Sequence, residues 1–254
     1  IAAAWNAEKK GAAAEAAWKR LFAAYQVAHP DLARELQRRI DGQLPESWES
    51  FADAAVHKID AAGATMATRK ASLVSLNAYA PALPELAGGS ADLTGSNLTL
   101  HSGSKVITGD DTSGNYVYFG VREFGMSAIC NGLSLHGGIL PYSGTFLTFS
   151  DYARNALRMA ALMKQRVIFV FTHDAMGDGE DGPTHQPVEQ LLSLRAVPGL
   201  VTLRPGDANE VVEAYRYVMQ LRHQPAVLAL SRQPLPTLDR RTYASASGVA
   251  RGAE

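Results

Sequence analysis

Short apolar runs alternate with helical patterns over most of the chain beyond residue 65. The runs at 116–119, 167–171 and 226–230 are rich in β-branched and aromatic residues, which is typical of buried strands. Stretches with apolar residues at helical spacing, such as 123–135 and 146–163, lie between them. Strands that alternate with helices of this length predict an α/β fold, in which helices cover both faces of a parallel sheet.

The same pattern predicts further elements of that sheet. A strand near 86–93 ends in a small-residue loop, and short strands are expected at 138–142 and 200–203. Helices are expected at 188–195 and 209–221, the second with Asp207 as its N-cap.

The first 64 residues follow a different pattern, with abundant alanine and scattered aromatic residues. Trp18, Phe22 and Tyr25 recur at helical spacing and predict a helix, which His29-Pro30 interrupts. Asp31 is the candidate N-cap of a second helix over 32–40. An alanine-rich helical arm with scattered aromatic residues usually packs against something larger.

Composition and charge narrow the class of protein. The chain has 254 residues, of which 46% are hydrophobic and 19% charged, as in globular proteins. The net charge of -1 predicts no nucleic-acid partner. No apolar run approaches ~18 residues, so we expect no membrane span. The single cysteine, Cys130, fits a reducing, cytoplasmic compartment and is expected to be buried. We interpret the chain as a piece of a longer protein.

Glu123 is the first candidate for chemistry. It lies in the first turn of a predicted helix, among Phe119, Val121, Phe124 and Met126. A carboxylate there can simply satisfy the helix dipole, which contributes ~0.3–1 kcal/mol. A buried carboxyl has a raised pKa instead, and can hold or pass a proton near neutral pH. The residues alone leave both interpretations open.

Phe146, Phe149 and Tyr152 are spaced three apart, so we expect them to share one helical face. Such a stripe is either part of the core or a wall that stacks a flat heterocycle.

Arg69 lies near the start of a predicted helix that ends near Tyr79. Positive charge is disfavoured at the start of a helix. Arg69 is either a solvated surface arginine or an anion binder.

Acidic and imidazole side chains crowd the loop after the strand at 167–171. Three hypotheses compete: a metal site, ordinary turn chemistry, and a substrate clamp that binds hydroxyls and carbonyls. The spacing typical of helical zinc sites and of EF-hands is absent. The side chains concerned are His173, Asp174, Glu180, Asp181 and His185.

Several blocks, in order along nearly the whole chain, together resemble transketolase of the bacterial type. The blocks are Ala67-Thr68-Arg69-Lys70, the stretch from Gly88 to Thr99, Gly120-Val121-Arg122-Glu123, the stretch from Thr145 to Ala153, Thr172-His173-Asp174, the stretch from Gly179 to Pro187, and Leu230-Ser231-Arg232-Gln233.

The resemblance implies a domain organisation. Residues 65–232 are expected to form the pyrimidine-binding domain of a thiamine diphosphate enzyme, and 1–64 the tail of the preceding diphosphate-binding domain and its connector. Residues 233–254 are expected to be a linker toward a missing C-terminal domain. The Gly177-Asp178-Gly179 tripeptide resembles the start of the metal-diphosphate motif, but we interpret it as a chance match. The ligands of Mg²⁺ or Ca²⁺ are therefore expected outside this segment.

The resemblance also implies roles for particular residues. Glu123 is expected to be catalytic, through a hydrogen bond to the aminopyrimidine ring nitrogen of the cofactor. Phe146, Phe149 and Tyr152 are expected to flank that ring, with Phe149 stacked on it. The sugar phosphate is expected to contact a set of polar side chains: Arg69, Ser96, His173, Asp181, His185 and Arg232.

The implied reaction transfers a two-carbon ketol unit from a ketose phosphate to an aldose phosphate, in the pentose phosphate pathway. The implied assembly is a homodimer with active sites between its subunits, so the segment alone is expected to be inactive. Alternatives are dihydroxyacetone synthase, deoxyxylulose-phosphate synthase, and a cofactor-binding module without catalysis. A metal-dependent hydrolase is a further alternative.

Overall fold

Four helices form the N-terminal part of the chain. The computed structural model describes residues 2–177 and 181–252. The helices are α1 (Ala2–Trp5), α2 (Glu8–Ala28), α3 (Pro30–Ile40) and α4 (Trp48–Ala62). The prediction that Asp31 caps the second main helix was wrong, because His29 occupies the N-cap and Pro30 begins the helix. Proline suits that position because a first-turn N–H has no partner within the helix.

A six-stranded parallel sheet follows, as the alternating pattern predicted. Its strands lie in the order β3-β2-β4-β5-β7-β6, and every neighbouring pair is parallel. The α/β prediction is confirmed. The strands are β2 (Leu86–Ser90), β3 (Tyr116–Tyr118), β4 (Leu140–Phe146), β5 (Ile168–Thr172), β6 (Val201–Leu203) and β7 (Ala226–Leu230), and a two-residue β1 (Met66–Ala67) precedes them.

Helices cover both faces of this sheet. One apolar layer joins the strands to α4, α5 and α10, and the other joins them to α7, α8 and α9. Asp207 caps α10 as predicted, since its carboxylate accepts a hydrogen bond from the Glu210 backbone N–H. The helices are α5 (Thr68–Tyr79), α6 (Thr94–Asn97), α7 (Glu123–His136), α8 (Ser150–Leu162), α9 (Gln190–Arg195) and α10 (Ala208–Gln220).

The largest departure from the predicted elements is at β4 and α8. The sequence predicted a strand at 138–142 and a helix from residue 146. Instead β4 continues to Phe146, a short 3₁₀ turn spans Leu147–Phe149, and α8 begins at Ser150. The whole of β4 is buried between β2 and β5. Pairing on both sides therefore holds its small and polar residues in a strand, against their local preference.

The stretch predicted as a linker contributes structure to the domain. β8 (Pro234–Leu235) pairs antiparallel with β1, and a 3₁₀ helix over Ala246–Arg251 contacts α10. The single cysteine, Cys130, is buried as expected, and burial raises the pKa of its thiol to about 12. No helix within 2–177 and 181–252 has the length and apolarity that a bilayer crossing requires.

Candidate active site

The carboxyl ends of the parallel strands all lie at one edge of the sheet. Open α/β sheets bind ligands at this edge, near the point where the strand order reverses. Here the chain goes from β2 to β3 on one side and then to β4 on the other. The segments that leave this edge carry the residues that the sequence singled out.

His173 follows β5 and is held firmly. It is 3% exposed, and its φ of 59° is unusual for a residue other than glycine. Its ring stacks on Phe146, with 3.7 Å between centroids, and its Nδ1 lies 2.8 Å from Thr172 Oγ1. Burial, followed by the charge of Arg69, lowers the pKa of His173 to about 4. The imidazole is therefore neutral at neutral pH.

A pair of hydroxyl contacts brings two arginines to this edge. The Thr68 backbone N–H donates to Ser231 Oγ (3.0 Å), and the Ser231 backbone N–H donates to Thr68 Oγ1 (2.6 Å). These bonds join the start of α5 to the end of β7, so that Arg69 and Arg232 both lower the pKa of His173.

Ser96 belongs to the same group of residues. Arg69 Nη1 donates to its carbonyl oxygen at 2.5 Å. The structure thus brings together Arg69, Ser96, His173 and Arg232, four of the six residues expected at a sugar phosphate. Arginine's planar fork suits phosphate oxygens.

The three candidate aromatic residues form a row of rings, although they do not share a helical face. Phe146 ends β4, Phe149 ends the 3₁₀ turn, and Tyr152 lies in α8. The rings of Phe146 and Phe149 are nearly parallel, with 5.8 Å between centroids, and the Tyr152 ring lies 5.9 Å beyond. The His185 ring approaches Phe149 edge-on at 5.1 Å. Tyr152 is 67% exposed, so one end of the row is open.

Glu123 begins α7, immediately after a tight turn. Gly120 has a φ of 69°, and a Cβ there would lie 2.3 Å from Arg122 Nη1. Glu123 is 8% exposed. Among the described residues its carboxylate makes no hydrogen bond and no ion pair. The carboxylate is therefore available to a ligand that can share a hydrogen bond with it.

The surroundings of Glu123 are only partly those that the sequence predicted. Phe119 and Met126 are buried, as expected for an apolar pocket. Val121 and Phe124, however, are 75% and 53% exposed. Only two of these four apolar neighbours are therefore buried within this chain.

The loop after β5 divides into separate groups. Asp174 pairs with Arg204 at 2.7 Å, whereas Asp181 and His185 act electrostatically on His173. Glu180 and the Asp178-Gly179 pair lie outside the described residues. In 2–177 and 181–252, no three His, Cys, Asp or Glu side chains are grouped to hold a metal ion.

Two buried residues behind His173 escaped the sequence analysis. Thr172 Oγ1 donates to Asn97 Oδ1 at 2.8 Å, and both side chains are fully buried. Both residues lie in blocks that carry the family resemblance, Thr172 at the end of an apolar strand and Asn97 in a Gly-Ser-Asn stretch, but no role was assigned to either.

Comparison with known proteins assigns the fold to a family. Residues 64–237 match the family model described as the transketolase pyrimidine binding domain. The chain therefore belongs to the transketolase family. Residues 1–45 match a second model, the transketolase thiamine diphosphate binding domain.

Curated transketolases and solved structures agree with this assignment. The chain is 52% identical to Transketolase 1 of Escherichia coli (strain K12) over 252 residues, which is 99% of this chain and 38% of that protein. It is 52% identical to Transketolase 2 of Aliivibrio fischeri, covering 94% of this chain and 36% of that protein. A Pichia stipitis transketolase complex with sedoheptulose-7-phosphate superposes with a TM-score of 0.85 at 42% identity, covering 96% of this chain and 36% of the other. The chain thus spans little more than a third of the transketolases it matches.

Proposed function

We propose that this chain is the central segment of a thiamine diphosphate-dependent transketolase. Residues 65–232 would be its pyrimidine-binding domain, 1–64 the tail of the diphosphate-binding domain with its connector, and 233–254 the approach to a third domain. The two family matches, at 1–45 and 64–237, support this division. The coverage of the relatives supports the expectation of further domains.

The proposed reaction transfers a two-carbon ketol unit from a ketose phosphate to an aldose phosphate, as a cytoplasmic step of the pentose phosphate pathway. The observation that carries it is the carboxyl of Glu123, which is nearly buried and has no partner within 2–177 and 181–252. It lies at the same edge of the sheet as the aromatic row and the arginine pair. When bound, thiamine diphosphate supplies the electron sink that the transfer requires.

Glu123 would share a proton with a ring nitrogen of the cofactor's aminopyrimidine. A carboxyl does this well in a dry site, where neither protonation state is strongly solvated. Phe149, with Phe146 and Tyr152 beside it, would flank the ring, because a row of flat apolar side chains suits a flat heterocycle. The cofactor therefore fits the residues present.

The sugar phosphate would lie across the other side of the site. Arg69, Arg232, Ser96 and His173 would hold its phosphate, and Asp181 and His185 would contact its hydroxyls or carbonyl together with His173. The joint action of these charges on His173 supports a shared site. The complex named for the Pichia stipitis relative contains a sugar phosphate of this class.

We also propose a homodimer with a composite active site. Exposed apolar side chains on α7 and α8 support it, since a surface of this kind is typical of an interface. They are Phe124, Ile129, Leu135, Met159 and Leu162. The ligands of Mg²⁺ or Ca²⁺ would come from outside this segment.

The test is a ketol-transfer assay on the full-length protein and on the isolated segment. We expect transfer only when thiamine diphosphate and a divalent cation are added to the stripped full-length protein, and no turnover from the segment. Activity that survives thiamine removal but is lost with a chelator would indicate the metal-dependent hydrolase instead. Cofactor binding without transfer by the full-length protein would indicate a non-catalytic module.

A further inference from the structure

A continuous line of buried polar groups runs inward from His173. Thr172 Oγ1 contacts both His173 Nδ1 and Asn97 Oδ1, each at 2.8 Å. Asn97 Nδ2 then donates to Ser90 Oγ at 3.2 Å. The line continues through three further contacts between hydroxyl groups: Ser90 to Thr99 (2.7 Å), Thr99 to Tyr116 (2.8 Å) and Tyr116 to Thr94 (2.9 Å). We call these six residues, Thr172, Asn97, Ser90, Thr99, Tyr116 and Thr94, the inner polar chain.

The fold packs closely around the inner polar chain. Gly144 in β4 lies against it, and a Cβ there would be 2.6 Å from Ser90 Oγ and 3.2 Å from Asn97 Nδ2. All members except Thr94 are fully buried, so water does not supply alternative partners. Each hydrogen bond in the chain is therefore determined by its neighbours.

The direction of the hydrogen bonds in the inner polar chain fixes the tautomer of His173. A hydroxyl has one hydrogen to donate, and Thr172 donates it to Asn97 Oδ1. Thr172 Oγ1 can therefore only accept from His173, whose Nδ1 must carry a hydrogen. Among the described residues, His173 Nε2 makes no hydrogen bond. It is the ring nitrogen left for a ligand.

We propose that Thr172 and Asn97 are positioning residues that keep the Nδ1 hydrogen of His173 directed inward, so that a sugar phosphate meets Nε2 and its binding is accompanied by proton uptake at that atom. The proposal rests on the function proposed above, which brings a phosphate to this site. Nδ1 keeps its hydrogen in both protonation states, so only Nε2 titrates. The incoming proton comes from solvent, and no bond other than N–H forms.

The charges around the ring give the direction of this coupling. Arg69 from the start of α5 and Arg232 after β7 disfavour the imidazolium, as does His185, while Asp181 favours it. The other residues that hold the ring, Phe146 of β4 and Thr172 of β5, are uncharged. Burial and the cations keep His173 neutral without ligand, and its pKa is lowered to about 4. A phosphate dianion offsets the two arginines and accepts a hydrogen bond from a protonated Nε2, which favours proton uptake.

The experiment is calorimetric titration of the full-length protein, with thiamine diphosphate, in two buffers of different ionisation enthalpy. The probe is an aldose 5-phosphate without a ketose donor, so that no transfer occurs. At about pH 8 a phosphate ester is a dianion, because its second pKa is about 6, and protons taken up come from the buffer. We expect net proton uptake by the wild-type protein.

The variants separate positioning from a merely structural role. Thr172→Val removes the acceptor at Nδ1 while keeping the shape; we expect proton uptake to fall by more than half and the Kd to rise about tenfold. Thr172→Ser restores the hydroxyl and should recover both. The matched control is Thr145→Val in the adjacent strand, whose buried hydroxyl has no hydrogen-bond partner among the residues that the structure describes; it should behave as wild type.

Two results would overturn the inference. If the wild-type protein binds the aldose phosphate without proton uptake, the inference is contradicted, whatever the variants do. Unchanged proton uptake in Thr172→Val would show that the inner polar chain does not control the protonation of His173. Failure of the wild-type protein to bind the aldose phosphate at all would instead overturn the proposed phosphate site, and this inference with it.

Discussion

The surroundings of His173 and of Glu123 differ sharply, although both lie at the same edge of the sheet. His173 is stacked on Phe146 and bonded through Thr172 to the inner polar chain. Glu123 is nearly as well buried, yet its carboxylate has no partner among the described residues, and exposed Val121 and Phe124 lie beside it.

This difference suggests a division of labour within the site. The chain itself preorganises the region that would receive the sugar phosphate, because buried and satisfied polar groups hold the ring in one orientation. The region of Glu123 consists of a carboxyl without a partner in the described part of the chain and an uncovered apolar surface. That arrangement suits a site completed by a cofactor and a second subunit.

The largest effect should come from Glu123→Gln in the full-length protein. Loss of a group that shares a proton should lower kcat by between about 100-fold and 10,000-fold while leaving the fold intact. Steady-state ketol transfer measures kcat, and circular dichroism measures whether the fold is intact. The matched control is the exposed Glu189→Gln, which should keep normal turnover. Normal turnover in Glu123→Gln would refute the role of this carboxyl.

A second effect should appear in the His173 region. Arg232→Gln should raise KM for phosphorylated sugars by between about 10-fold and 100-fold, because charge-assisted hydrogen bonds to phosphate are lost. KM for unphosphorylated sugars should change little. Arg241→Gln, at a highly exposed arginine paired with Asp239, is the control. Equal losses for both kinds of sugar would contradict a phosphate site.

A smaller effect is expected at the uncovered surface near Glu123. Phe124→Asp places a charge among exposed apolar side chains and should weaken self-association by about 10-fold or more, as expected when a charge is buried at an interface. Sedimentation at several concentrations measures this, with the apolar Phe124→Leu as control. An unchanged dimer would show that this face lies outside the interface.

The last effect is a loss of stability as the pH falls. The pKa of His173 lies at about 4 in the fold, below its ordinary value of 6.5, so the unfolded chain binds a proton first. The contribution of the neutral His173 to the free energy of unfolding is fully present above pH 6.5. It is lost as the pH falls toward 4, by at most about 3 kcal/mol.

Thermal unfolding of the full-length protein in phosphate-free buffer tests this between these two pH values. The wild-type midpoint should fall more steeply with pH than that of His173→Gln. The exposed His57→Gln should follow the wild type. Parallel pH profiles for wild type and His173→Gln would contradict the lowered pKa.

Much of the fold was predictable because its strands are locally distinctive. β7 is an unbroken apolar run, β5 is apolar up to its last residue, Thr172, and the helices around them show the expected spacing. β4 was not predictable over its full length, since Tyr142-Ser143-Gly144-Thr145 resembles a loop unless its two neighbouring strands are known. Its extension also moved Phe146 and Phe149 out of the predicted helix.

The candidate site, like the fold, was predictable from the sequence only in part. Residue types and their order along the chain were enough to single out Glu123, the aromatic row, and the arginines and imidazoles of the candidate phosphate site. The contacts that hold His173 join Thr172 to Asn97, which lies 75 positions earlier in the chain. No local pattern connects such residues.

The sequence by itself determined the alternation of strands and helices, the family, and the set of candidate residues, because periodicity and motif order are local properties of a chain. The tertiary structure alone decided the length of β4, the exposure of Val121 and Phe124, and the buried polar contact of His173. Each of these depends on which distant segments meet across the sheet, and on whether a polar atom meets water or another buried polar group.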